Sequence, residues 1–128
     1  MSADLQSMPP LPEWLATHGP EIAEAIEFCR CLLDPAPDKL NAAGAEINAK
    51  AANMGFLLAD AEAYLVAEKA RSLKNLEEDV GPTAAKVSME NDTKDLRRLR
   101  DQLKVAVRSL RSLSISVCSV RKSQGAQR

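Results

Sequence analysis

Rings are scarce in this chain of 128 residues: aromatics make up 3% of it, as Trp14, Phe28, Phe56 and Tyr64. Pleated sheets are built on aromatic and β-branched side chains, so this poverty argues against a β-sandwich or barrel. Cysteine is sparse and odd in number, three residues at Cys29, Cys31 and Cys118. That count and spacing do not fit a secreted disulfide scaffold. Cys29-Arg30-Cys31 offers two ligands where zinc needs four, and the lone His18 does not supply the rest. No metal and no cofactor are expected, and the three thiols are expected reduced and buried on apolar faces. No apolar run reaches the ~18 residues of a membrane-spanning helix, and the N-terminus has no basic segment ahead of an apolar core. The sequence therefore points to a cytoplasmic protein that makes no membrane contact.

Catalytic signatures are missing as well. There is no G-x-S-x-G, no Gly-rich phosphate loop, and one histidine near a proline turn. The acidic run Glu77-Glu78-Asp79 abuts a turn and reads as helix-end charge. The chain is expected not to be an enzyme.

What is present is alanine, leucine and charge: hydrophobic residues total 45% and charged residues 27%. That mixture favours helices with a narrow apolar seam. The net charge of −1 conceals a gradient. Residues 1–38 carry seven acids and one base, residues 39–80 seven and five, and residues 81–128 four and eleven. An acidic head and a basic tail permit contact with phosphates, contact between copies of the chain, or neutralisation within one molecule.

Along the chain, Pro9, Pro10 and Pro12 predict an extended stretch up to about residue 12. A short turn is expected over Glu13–His18, ended by Gly19-Pro20. Trp14 in this region is either the cap of the chain's own core, the favoured reading, or an anchor for a partner. Pro20 suits a helix start, and Ile22, Ile26, Cys29 and Leu33 share one face of a helix over residues 20–33. Asp34-Pro35-Ala36-Pro37 ends it, with Asp38 as the next cap.

From there to about Glu78 a single long helix is expected. Its seam runs Leu40, Gly44, Ile47, Ala51, Met54, Leu58, Ala61 and Leu65 in steps of four and three. It then drifts to Lys69, Leu73, Leu76 and Val80. Small residues at 44, 51 and 61 admit a close neighbour helix. Gly81-Pro82 reads as helix stop and helix start. Beyond it, Ala85, Met89, Leu96, Leu99, Leu103, Ala106, Leu110, Leu113, Val117 and Val120 form a second seam. A break with a fresh cap is allowed at Asn91-Asp92-Thr93. Residues 113–120 alternate as a strand would, but no partner strand exists, so helix is expected.

The fold class read from these patterns is all-α: a long antiparallel helical hairpin with a short N-terminal helix, completed by oligomerisation. Its divisions are a proline-containing arm over 1–19, the helical unit over 20–122 and a flexible tail over 123–128. Leu40, Ile47, Met54, Leu58, Leu65, Leu96, Leu99, Leu103, Leu110 and Leu113 are the expected core and oligomer seam.

One feature has chemical direction. Arg97, Arg100, Lys104, Arg108 and Arg111 fall on one helix face, with Arg98, Arg121 and Lys122 adding charge around it. Such a row meets phosphates without reading sequence, and its binding is salt-sensitive. No aromatic follows Tyr64, so base stacking does not assist. The plain alternative is a solvated face, or one neutralised by Glu21, Glu24 and Glu27 of the acidic helix.

The run Ala61-Glu62-Ala63-Tyr64-Leu65-Val66-Ala67-Glu68-Lys69-Ala70, the step from Leu73 to Leu76 and the Gly81-Pro82 turn carry a resemblance. So do Leu96-Arg97-Arg98-Leu99-Arg100-Asp101 and Leu110-Arg111-Ser112-Leu113. Over residues 58–113 the chain is similar to small helical bacteriophage early-region proteins found beside single-strand-annealing recombinases. The resemblance implies host cytoplasm and no active residues. The function expected is a non-enzymatic, self-associating assembly protein. The alternative is a nucleic-acid-binding accessory of phage recombination or replication that uses the basic face. A third reading docks the acidic N-terminal region, with Trp14, on another protein.

Overall fold

The structure, a computed structural model, describes residues 8–33, 35–74 and 81–126, with side chains to residue 123. The fold is all-α. Among the described residues there are five helices: α1 (Leu11–Cys31), α2 (Pro37–Ala42), α3 (Gly44–Lys74), α4 (Pro82–Asp92) and α5 (Lys94–Ala126). Helix α3 packs along α5, and α1 lies against both. The hydrogen bond from Ser114 of α5 to Asn48 of α3, with those from Arg121 of α5 to Asn41 of α2 and from Ser72 of α3 to Asp92 of α4, sets the two long helices antiparallel, as the hairpin reading expects.

The N-terminal boundary differs from the sequence reading. Pro10 is extended (φ −54°, ψ 145°), but helix begins at Leu11 and runs through Gly19-Pro20 without a stop. Pro20 forfeits one intrahelical hydrogen bond, a cost of about 3 kcal/mol in isolation. Burial on both sides of it offsets that cost. Trp14 ahead of it, and Ile22 and Ala25 behind it, sit on one face and are buried together. Of the arm expected over 1–19, residues 11–19 are thus the first turns of α1, and residues 1–7 lie outside the described residues.

Helix α2 starts on Pro37 with Ala36 as its cap residue, so Asp38 sits in the first turn and does not cap. One residue, Ala43 (φ −87°, ψ −1°), interrupts the single long helix expected here. The ladder resumes at once, since Ile47 N–H donates to Ala43 O at 2.9 Å. Gly81 is the extended N-cap of α4 (φ −68°, ψ 160°), with Pro82 in the first turn as expected. It does not close a helix in a left-handed conformation. The expected end near Glu78, the seam positions Leu76 and Val80 and the acidic run 77–79 lie outside the described residues.

The break near Asn91 falls on Thr93, which is 1% exposed. Its hydroxyl donates to Met89 O at 2.8 Å, an alternative to the backbone ladder that Ser and Thr offer. Asp92 accepts from Ser72 Oγ and does not cap α5. Residues 113–120 are helical throughout, because α5 continues to Ala126. Helix also occupies 123–126 of the expected flexible tail.

The core is the two seams closed on each other and capped by α1. Ile47, Met54, Ala61, Leu103 and Leu110 are essentially inaccessible, and Leu40, Leu65 and Leu96 are buried; Leu58, Leu99 and Leu113 pack at the edge. Gly44 does what its size permits: a Cβ there would stand 3.1 Å from Val117 Cγ1, so α5 crosses close above it. Within one molecule the described seams close on each other from Leu40 to Leu65 and from Leu96 to Val117, while Leu73, expected on the same seam, is 53% exposed.

Candidate functional site

Trp14 is 1% exposed. Its indole N–H donates to Asp60 Oδ2 at 3.1 Å, and its ring meets Tyr64 edge-on with centroids 5.8 Å apart. Tyr64 in turn donates to the Pro9 carbonyl. This ties the head of α1 to α3. The ring caps the chain's own core.

The acidic residues of α1 engage elsewhere than the basic row. Glu24 lies 3.2 Å from Lys50 Nζ, which also stands over the Phe28 ring. Glu27 reaches Arg30 at 3.6 Å. Glu21 accepts from His18 at 3.0 Å, and that hydrogen bond holds its carboxyl below the ordinary range. The three thiols are not buried as a set: Cys31 and Cys118 are exposed and Cys29 is half-buried. Burial pushes the Cys29 thiol up, against a smaller opposite pull from Lys50. Among the described residues no three His, Cys, Asp or Glu side chains gather in a way that would hold a metal. No described helix is long and apolar enough to cross a membrane.

The basic row divides in two. Arg97 donates to the Glu90 carbonyl at 2.7 Å while its Nε is buried without a partner among the described residues. Arg100 bonds Asp101 at 3.1 Å. Lys104, Arg108 and Arg111 are exposed and form no ion pair with any described acid. They surround a shallow hollow of about 490 Å³ with Leu58, Val107 and Ile115, at the seam where α5 meets α3. A larger groove of about 1070 Å³ runs between α1 and α5, with Ile26, Leu33 and Val105 inside it and Arg30 and Arg98 on its lining.

A surface the seam analysis missed lies on the other side of α3. Ala45, Ala49, Ala52, Phe56, Ala59, Ala63, Val66, Ala70 and Leu73 follow one another in steps of four and three, with no charged residue among them. Eight of the nine are exposed and Ala63 is half-buried. Phe56 is 74% and Val66 65% exposed. This row points away from the core. It runs between the edge that meets α1 (Lys50, Asn53, Asp60) and the edge that meets α5 (Asn48). An outward helix face normally carries polar residues. The signal was available in the sequence, as the same heptad step begun one residue after Gly44.

No protein-family model, characterised protein or solved structure matches the chain. The resemblance to phage early-region proteins accordingly draws nothing from these comparisons.

Proposed function

We propose that this chain is a non-enzymatic helical interaction and assembly module that self-associates through the outward face of α3. One observation carries the reading: an uncharged apolar row about eight turns long lies exposed on a helix whose inner face is already satisfied. Contiguous exposed apolar surface of this kind marks an interaction site in a folded protein. Sedimentation at micromolar concentration tests it. The expected result is twice the chain mass, lost in Phe56→Asp with helicity intact. A wild-type chain that sediments as a monomer overturns the reading.

A second reading, binding of nucleic-acid phosphates, is favoured by the unpaired state of Lys104, Arg108 and Arg111. Three phosphate contacts give a slope of log K against log salt of about −2.7. Replacing Lys104, Arg108 and Arg111 with Glu abolishes such binding. Absence of any binding of the unmodified chain to a DNA duplex at low salt ends this reading.

A further inference from the structure

We infer that the groove between α1 and α5 receives an acidic amphipathic helix of a partner protein, with leucine-sized side chains on its inner stripe. This surface is separate from the outer face of α3 and does not depend on self-association.

Shape argues for a helix. The groove, about 1070 Å³, has a floor of Leu32 and Ala106, both buried, with Ile26 and Leu113 half-buried beside them. Leu33 and Val105 form its lips and are 77% and 60% exposed. Along α5 the lining runs from Arg98 to Leu113, about 22 Å or four turns at the rise of an α-helix. Ala106, Ser109 and Ser112 keep the α5 wall low, which leaves room for bulky side chains entering from above. Helices α1 and α5 both pack on α3, yet no α3 residue lines the groove, so it opens on the side away from α3. A helix laid there becomes the fourth member of a bundle. An alkyl ligand fits less well, since small-molecule sites enclose about 70–90% of their occupant and lips this exposed do not. A helix needs cover on one face only.

Charge argues for acidity. Arg30, Arg98 and Arg108 line the groove against one described acid, Asp101. That carboxylate already accepts from Arg100 at 3.1 and 3.2 Å. Arg98 and Arg108 pair with no described acid. Arg30 reaches Glu27 at 3.6 Å, but both side chains are well exposed and such a pair contributes little. Asp34, beside Leu33 in sequence, lies outside the described residues; counting it, three bases still outnumber two acids. A second copy has no acidic face to spare. Glu21, Glu24 and Glu27 of α1 already meet His18, Lys50 and Arg30, and the outer row of α3 carries no charge. The occupant is therefore a different protein.

The probe is a fluorescent synthetic helix about four turns long, built of leucine, alanine and glutamate, with the leucines on one stripe. It is held at trace concentration while the full chain is titrated and anisotropy is read. Binding is expected at least tenfold tighter than for the same peptide with lysine in place of glutamate, or with its leucines scrambled. Val105→Asp should weaken it at least tenfold, and Arg98→Glu with Arg108→Glu should turn the preference toward the lysine peptide. In a full chain carrying Cys31→Ala and Cys118→Ala, saturating peptide should slow alkylation of Cys29, which lines the groove. Absence of binding, equal binding of the lysine or scrambled peptide, or unchanged Cys29 alkylation overturns the proposal. Val105→Asp should sediment as the unmodified chain does. If it alone turns a dimer into a monomer, the groove belongs to a second copy and the partner helix is overturned. A chain that sediments as a monomer and binds the glutamate peptide overturns self-association and leaves this inference standing.

Discussion

Helix α3 carries two apolar rows with the same rhythm and opposite fates. The inner row, through Gly44, Ile47, Met54, Ala61 and Leu65, is buried under α5 and α1. The outer row, through Ala45, Ala52, Phe56, Ala59 and Val66, begins one residue later and is exposed. Spacing says that a face is apolar. What covers it depends on which elements the rest of the chain brings there, and α1 and α5 both sit on one side. The inner row is also the bulkier, with Ile, Met and Leu where the outer has mostly alanine. Bulk belongs in a permanent core, where each buried side chain contributes about 1.5–3 kcal/mol. A thin alanine row suits a surface that must remain tolerable in water before it is covered.

The largest expected effect separates the two rows directly. Ile47 is 0% exposed. Ile47→Asp puts a carboxylate there with nothing to pair it, and the penalty of several kcal/mol rivals the whole stability of a domain this size. Circular dichroism should show loss of helix at 25 °C. Ala49→Asp, two residues on and facing outward, should leave the helical signal and the melting temperature nearly unchanged while abolishing the dimer. Equal damage from both would erase the distinction between the rows.

Next in size is Trp14→Ala. Removing this ring opens a cavity under α1 and leaves Asp60 without its indole donor, a loss of about 3–5 kcal/mol in urea unfolding. A loss below about 1 kcal/mol would show that α1 is not part of what covers the inner row.

How much of this was legible in the sequence follows the same division. The hairpin, both seams and the helical state of residues 113–120 were legible, because periodic apolar spacing reports them directly. The start of α1 was not. Gly19-Pro20 reads locally as a stop, and only the burial of Trp14 with Ile22 and Ala25 on one face carries helix through it. The covering of the seams by the chain itself was also hidden, since α1 reaches α3 through pairs such as Glu24 with Lys50, far apart in sequence. The outer row was legible and overlooked, its alanines reading as helix filler beside the leucines of the inner seam.

A smaller effect tests the outer row without touching the fold. In Phe56→Lys each dimer loses two rings, at about 1.5–3 kcal/mol apiece, so dissociation should strengthen by at least about 100-fold. The isolated molecule should melt within a few degrees of wild type, because the ring is already 74% exposed. The substitution adds positive charge, so a fall in duplex DNA binding measured by anisotropy would tie that binding to the dimer. A rise would show that the basic row acts alone.

The finest comparison uses adjacent residues. Gly44 and Ala45 are one position apart in α3, yet one faces α5 and the other faces out. A Cβ on Gly44 would meet Arg121 Nη2 at 2.7 Å and Val117 Cγ1 at 3.1 Å. The arginine end can swing aside, although it gives up its 2.8 Å bond to Asn41 if it moves far. Val117 is buried and has less room to yield. Gly44→Val carries two more methyl groups toward that contact, and overpacking of this sort costs about 1–3 kcal/mol. Ala45→Val meets no such neighbour and loses only the helix preference of alanine over valine, under about 0.7 kcal/mol. Urea midpoints of the two variants, measured below the concentration at which the chain associates, should differ in that order. If Ala45→Val proves the more damaging, the outer face is covered within the single molecule, and the distinction between the two rows of α3 falls.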